Sequence, residues 1–174
     1  MNLFSALRAK SAFVGFFAAL SFSSGAFAVG NFPIAPDASM TPGALCNRPT
    51  EYRYAEHIAY CERNVSSSTK AAIIHQYDVS FGYSIEQMTR TDFKIDHFIP
   101  LCMGGANEVT NLWPQHKSVY EKTDQIEEKL CELMLLGDMK QDEAVANIRH
   151  VKFHLEEAAQ LLNDLNERAA HAHH

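Results

Sequence analysis

The chain has 174 residues, 47% of them hydrophobic, and a formal net charge of −6 at neutral pH. That is enough length and apolar content for one domain with a real hydrophobic core. The acidic balance excludes a broad electrostatic footprint for nucleic acid, so chemistry on such a polymer would need a local site and a bound cation.

Arg8 and Lys10 form a short positive region, "SAFVGFFAALSF" an apolar one, and "AFA" at Ala26 to Ala28 a small-x-small step. Together they predict a Sec-type signal peptide over residues 1–28, cleaved near Ala28, and a mature protein that is periplasmic or secreted. The apolar run is short for a span and no stop-transfer segment follows, so no stable membrane insertion is expected after cleavage; an uncleaved anchor is the alternative. Removing residues 1–28 leaves 146, and losing Arg8 and Lys10 takes the charge from −6 to −8.

"NFPIAPDASMTPGAL" reads as a flexible lead-in over residues 29–45, ahead of a single domain over 46–170. Ser residues followed by Ala71, Ile73, Ile74 and Tyr77 predict a helix from about Ser68 to Tyr77. "TDFKIDHFIP" alternates as a strand, with Phe93, Ile95, His97 and Ile99 on one face and Lys94, Asp96 and Phe98 on the other. Pro100 ends it, Gly104-Gly105 turns the chain, and "EVTNLWP" returns as a second strand. From about His116 an apolar stripe through Val119, Ile126, Leu130 and Leu133 predicts a helix stopping at Gly137. "KQDEAVANIRHVKFHLEEAAQLLNDLNERAA" supplies one or two more, and "HAHH" at 171–174 a frayed tail able to pick up metal adventitiously. The fold class is α+β, mostly helical, with a small β-hairpin followed by a helix and embedded in a helical domain.

Cys46, Cys61, Cys102 and Cys131 all survive signal removal. An even count in an oxidising compartment favours disulfides, with three possible pairings; Cys46–Cys61 and Cys102–Cys131 are preferred, because the first closes a short loop and the second ties the hairpin to the helix behind it. No C-x-x-C spacing suggests a zinc ribbon.

The chemistry gathers in "KIDHFIPLCMGGANEVTNLWPQHK", residues 94–117. An imidazole titrating near neutrality makes His97 a candidate general base, and Asp96 can hold a divalent cation that offsets charge on a phosphoryl group. Neighbours on a regular strand face opposite ways, so a bulge or a strand end is expected at this pair. Asn111, opposite His97 if the hairpin closes at "GGAN", is a candidate to orient the imidazole, directly or through a backbone carbonyl. His116, at the start of the next helix, is the candidate second metal ligand.

"IDHFIPLCMGGANEVTNLWPQ" resembles the HNH (His-Me finger, ββα-metal) endonucleases, in particular an exported bacterial branch with the signature DH-IPL-GG-N-NLWP. The resemblance runs from about Ile95 to Gln115 and weakens through "TDQIEEKL". It implies a hairpin packed on a helix, one divalent cation (Mg²⁺ first, Mn²⁺ or Zn²⁺ as alternatives), and hydrolysis of DNA or RNA phosphodiester bonds. Asp96 matches the metal-binding acid, His97 the general base and Asn111 the middle Asn. The third position, often His or Asn nine residues further on, holds Tyr120 here. His116 is taken as its replacement, with Gln115 or Glu121 as alternatives. The zinc-binding cysteines that brace some members are absent.

Lys117 and Arg90 are candidate phosphate contacts, although solvated surface is the plainer reading for both. Asp124 and Glu127 are assigned to stabilising the helix surface or a neighbouring turn, Trp113 to the core and Asn107 to a local turn bond, and His57, His75, His150 and His154 have no interpretable partner spacing. The expected function is an exported metal-dependent endonuclease of little sequence preference. A non-catalytic metal- or protein-binding module on the same scaffold and a small-nucleotide phosphodiesterase are the rival classes.

Overall fold

The computed structural model describes residues 30–172. The expected signal segment 1–28, Val29 and the last two histidines of the tail lie outside the described residues. Over the described residues the fold is α+β and mostly helical, with two small antiparallel hairpins and four helices.

β1 (Glu51–Arg53) and β2 (Ile58–Tyr60) form the first hairpin, closed at its base by the Cys46–Cys61 disulfide. Nothing in the sequence announces it. Tyr54 and His57 take positive φ in its turn (62° and 54°), a conformation usually signalled by Gly or Asn. α1 (Ser67–Phe81) runs past the expected Tyr77; the Ser66 hydroxyl accepts from Thr69 N at its start, and Gly82, at φ 73°, ends it.

β3 (Phe93–His97) pairs with β4 (Leu112–His116) in the register Phe93↔His116, Ile95↔Pro114 and His97↔Leu112. The return strand therefore begins four residues later than "EVTNLWP" suggested, because Val109–Asn111 curl into a 3-10 turn. The connection 98–111 is an ordered lobe folded on its own backbone. A Cβ at Gly105 would lie 1.8 Å from Ile99 O, so only glycine allows that approach. The lead-in, expected to be flexible, is held against this lobe from residue 41 on: Gly43 N donates to Thr110 O, Ala106 N donates to Ala44 O, and the buried Thr41 hydroxyl meets Tyr77 Oη and Leu112 O.

α2 (Lys117–Leu136) follows β4 directly and stops at Gly137, at φ 76°, as expected. α3 (Gln141–Phe153) and α4 (Ala158–Ala172) divide the last tract at His154, whose backbone leaves the helical region before a 3-10 turn over Leu155–Glu157. α4 carries the fold through Ala172, so His171 belongs to a helix and not to a loose tail.

One core lies between α2, α3 and α4, around Ile126, Leu130, Leu133, Ile148, Val151 and Leu165. A second joins α1 to the hairpin, around Tyr77, Ile85, Phe93, Phe98, Leu112 and Trp113. The Cys102–Cys131 disulfide pins the 98–111 lobe to α2, so both preferred pairings are present. Among the described residues no helix is long and apolar enough to cross a membrane.

Candidate active site

β3 sorts its side chains by alternation. Lys94 and Asp96 face α2, whereas His97, on the last rung, faces the other way, toward the 61–64 segment and Asn107. The ladder is regular, and the strand end anticipated at the Asp-His pair falls at His97.

Asp96 is 7% exposed and meets two carboxylates of α2: one oxygen each from Asp96, Asp124 and Glu127 lies within 4.8 Å of the others. Asp124 and Glu127 are three apart on one helix, hence on one face. Two lysines hold the group together. Lys94 Nζ is 2.8 and 2.9 Å from the Asp124 oxygens, 3.4 Å from Asp96 Oδ2 and 4.8 Å above the Tyr120 ring. Fully buried Lys152, from α3, places Nζ 2.6 Å from Glu127 Oε1 and donates to the carbonyls of His97 (2.8 Å) and Phe98 (3.2 Å). Burial pulls the Lys94 pKa down, but Asp96 and Asp124 outweigh it and the net shift is upward. Desolvation pushes the Glu127 carboxyl up to about 7; Lys152 opposes that shift and Asp96 adds to it.

Asp96 Oδ2 is buried and accepts no hydrogen bond. A buried carboxylate oxygen faced by the Lys94 ammonium at 3.4 Å without a hydrogen bond, beside two further carboxylates, fits a hard divalent cation with oxygen preference that would displace the lysine, and the set offers no nitrogen or sulfur. Mg²⁺ or Mn²⁺ suits it better than Zn²⁺.

His97 is 2% exposed, and burial lowers its pKa, with further depression from Arg63 and Lys152. The ring is therefore neutral at physiological pH. Its Nε2 is 3.0 Å from Asn107 Oδ1. The Asn107 amide nitrogen donates to Glu62 O (2.8 Å), and Oδ1 also accepts from Asn64 N (3.3 Å), which fixes the amide's orientation. An amide oxygen only accepts, so Nε2 carries the proton and the basic lone pair is on Nδ1. Asn107 thus makes long-range bonds instead of the local turn bond expected of it. It also lines a polar pocket of about 380 Å³, together with Asn47, Arg48, Thr50, Arg63 and Asn64.

Asn111 does not reach the imidazole. The register sets Leu112 opposite His97, and the fully buried Asn111 side chain instead accepts from Ile99 N and donates to Ile99 O and Ala106 O, each at 2.9 Å. It locks the 98–111 lobe shut, and its carbonyl accepts from Phe98 N at 2.7 Å.

No family model, curated protein or solved structure matches this chain. The site is therefore read from its own geometry.

His116 is not brought to Asp96. It pairs with Phe93 at the far end of the ladder, stacks on Phe32 at 3.7 Å, and caps α2 by accepting from Ser118 N at 3.2 Å. As a cap it lies outside the helix, so counting one turn back from Tyr120 fails. Lys117 and Arg90 occupy that same end: Lys117 Nζ is 2.8 Å from Asp92 Oδ1, and Arg90 donates to Phe93 O. Glu121 lines a separate groove between α2 and α4. Gln115 does share the Asp96 face, but its amide nitrogen donates to Thr123 Oγ1 in the interior. Tyr120 lies under Lys94.

The carboxylates that do meet Asp96 were assigned to the helix surface. Their signal was available as Tyr120, Asp124 and Glu127, a polar stripe at helical spacing on the face turned to the hairpin. Arg63 was missed altogether. Its guanidinium donates to Ile95 O at 2.9 Å from a segment with no motif of its own.

Proposed function

We propose that the chain is an exported, metal-dependent nuclease of the HNH type that hydrolyses phosphodiester bonds with little sequence preference. The carrying observation is the Asp96, Asp124 and Glu127 oxygen cluster, set next in sequence to a neutral imidazole whose proton is held on Nε2. A divalent cation held there would offset charge developing on the phosphoryl group and its leaving oxygen. His97 Nδ1 takes the proton from the attacking water, and Asn107 keeps the ring in the productive tautomer. Arg63 and Arg48 line the pocket beside Asn107 as candidate phosphate contacts, but Glu62 and Glu108 line it too, so attraction for a polyanion rests on the bound cation as well. The two disulfides fit an oxidising, extracytoplasmic setting.

Three features favour the rival reading of a non-catalytic scaffold. Lys94 and Lys152 already pair with the carboxylates, His97 is almost wholly covered, and its ring lies on the opposite face of β3 from the Asp96 cluster. Cleavage separates the two. The purified protein is incubated with linear DNA and RNA in Mg²⁺ and Mn²⁺, with a chelated control. The nuclease reading expects ion-dependent cleavage that drops by two orders of magnitude or more in His97→Ala, in line with loss of a general base (about 10²–10⁴-fold). Cleavage at an undiminished rate in His97→Ala, or none with either ion, overturns it.

A further inference from the structure

A second cluster lies far along the chain from the first. His150 and His154, on consecutive turns at the end of α3, have stacked rings 4.4 Å apart. The 3-10 turn that follows brings Glu156 and Glu157 back to them. His150 Nε2 is 2.9 Å from Glu157 Oε2, and His154 Nδ1 is 3.5 Å from Glu156 Oε1. Ligand atoms of His154, Glu156 and Glu157 all lie within 4.8 Å of one another. In a tetrahedral site with bonds of 2.0–2.1 Å, neighbouring donor atoms are about 3.3 Å apart. Two pairs already lie near that figure, His154, Glu156 and Glu157 are within 4.8 Å of one another, and His150 joins them through Glu157, so rotations of exposed side chains would close the site.

The backbone explains why the four groups stay together. His154 N donates to both His150 O and Val151 O, and Glu157 N donates to His154 O at 3.0 Å, so turn and helix end are one hydrogen-bonded unit. A cavity of about 210 Å³ lined by His150, Glu157 and Asp164 leaves space beside the cluster for a coordinated water. Two imidazoles with two carboxylates favour a borderline ion, unlike the all-oxygen set at Asp96.

We infer that His150, His154, Glu156 and Glu157 form a surface binding site for a zinc-class transition metal, separate from the cation site at Asp96. A bound ion would clip α3 to the start of α4. It would do so immediately beyond Lys152 and Phe153, whose side chains support His97 and Phe98 respectively.

The site is tested by calorimetric titration with Zn²⁺ and by the melting temperature. The host is the signal-processed full chain with His171, His173 and His174 changed to Ala, which removes the tail as a competing ligand. The expected result is one Zn²⁺ per chain bound in the micromolar range and a rise in melting temperature. In His150→Ala and in His154→Ala the affinity should fall about tenfold or more, while Asp96→Asn leaves it unchanged. All four side chains in the cluster are exposed, so these variants retain the fold, which circular dichroism checks. Equal Zn²⁺ affinity in the His150→Ala/His154→Ala pair, loss of the binding in Asp96→Asn, or no binding by the host at millimolar Zn²⁺ would overturn the inference. None of these readouts uses nuclease activity, so the outcome is independent of the proposal above.

Discussion

Asn107 and Asn111, four positions apart in one motif, do different work. Asn111 has three short bonds to the backbone of its own lobe and no exposure, so Asn111→Ala should unfold the lobe along with the site. Leaving those buried groups unpaired costs about 1–3 kcal/mol each, and denaturant unfolding should register a loss of several kcal/mol. Asn107 is half-buried and orients the imidazole. Asn107→Ala should therefore lower the cleavage rate far more than it lowers stability; equal stability losses in the two variants would contradict the division. On the proposed mechanism Glu127 sets the pH response. Its carboxyl is held at about 7 against 4.5 for an ordinary glutamate, so the apo site takes up a proton as pH falls through 7 and loses cation affinity. The acid limb of the rate profile should then move to lower pH as Mg²⁺ is raised, and Glu127→Gln should abolish the movement. A limb unaffected by Mg²⁺ would assign it elsewhere. The sequence singles out Asp96 and His97 as candidates because unusual residues around them keep their spacing. Asp124 and Glu127 carry no such signal, since carboxylates on a helix are ordinarily solvated, as Asp124 still is, and only the placing of α2 beside β3 brings the pair to Asp96.

Among the elements, α3 is the brace. Lys152 crosses from it to two carbonyls at the end of β3 and to Glu127, so one buried cation joins strand, lobe and α2. Lys152→Met removes the charge and leaves these acceptors bare. A loss of about 3 kcal/mol is expected in chemical denaturation, the low end for breaking a buried pair because Glu127 can take up a proton. A loss below about 1 kcal/mol would show that the brace is dispensable. Helix ends were readable where a local residue dictates them, as with the serines at the start of α1 and Gly137 after α2, but the end of α1 was not: it runs past Tyr77 to Gly82. The β1–β2 hairpin was not, because its turn forces Tyr54 and His57 into positive φ without the usual residues. The register of β4 also escaped, since the 3-10 turn at Val109–Asn111 is held by Asn111's bonds to Ile99 and Ala106 within the folded lobe, which local propensity does not reveal.

At the scale of the described residues the protein is two cores joined through the 98–111 lobe, which gives Phe98 to one and Ile99 and Met103 to the other, and through the Lys152 brace. Cys102–Cys131 spans 29 residues and fastens the motif lobe to α2 beside the helical core, which Ile99 and Met103 of the lobe also enter. Chain-entropy reasoning assigns such a link about 3–4 kcal/mol. Cys102→Ser/Cys131→Ser should lose a similar amount and, because the lobe carries Asn107, should lose cleavage before global unfolding. The account as a whole depends on where a divalent cation binds. A crystal soaked in Mn²⁺ and read by anomalous scattering tests this most directly. The ion is predicted at about 2.0–2.6 Å from oxygens of Asp96, Asp124 and Glu127, with Lys94 Nζ displaced from Asp96. Mn²⁺ bound at His116 instead, or absent from the Asp96 cluster at saturating concentration, would contradict it.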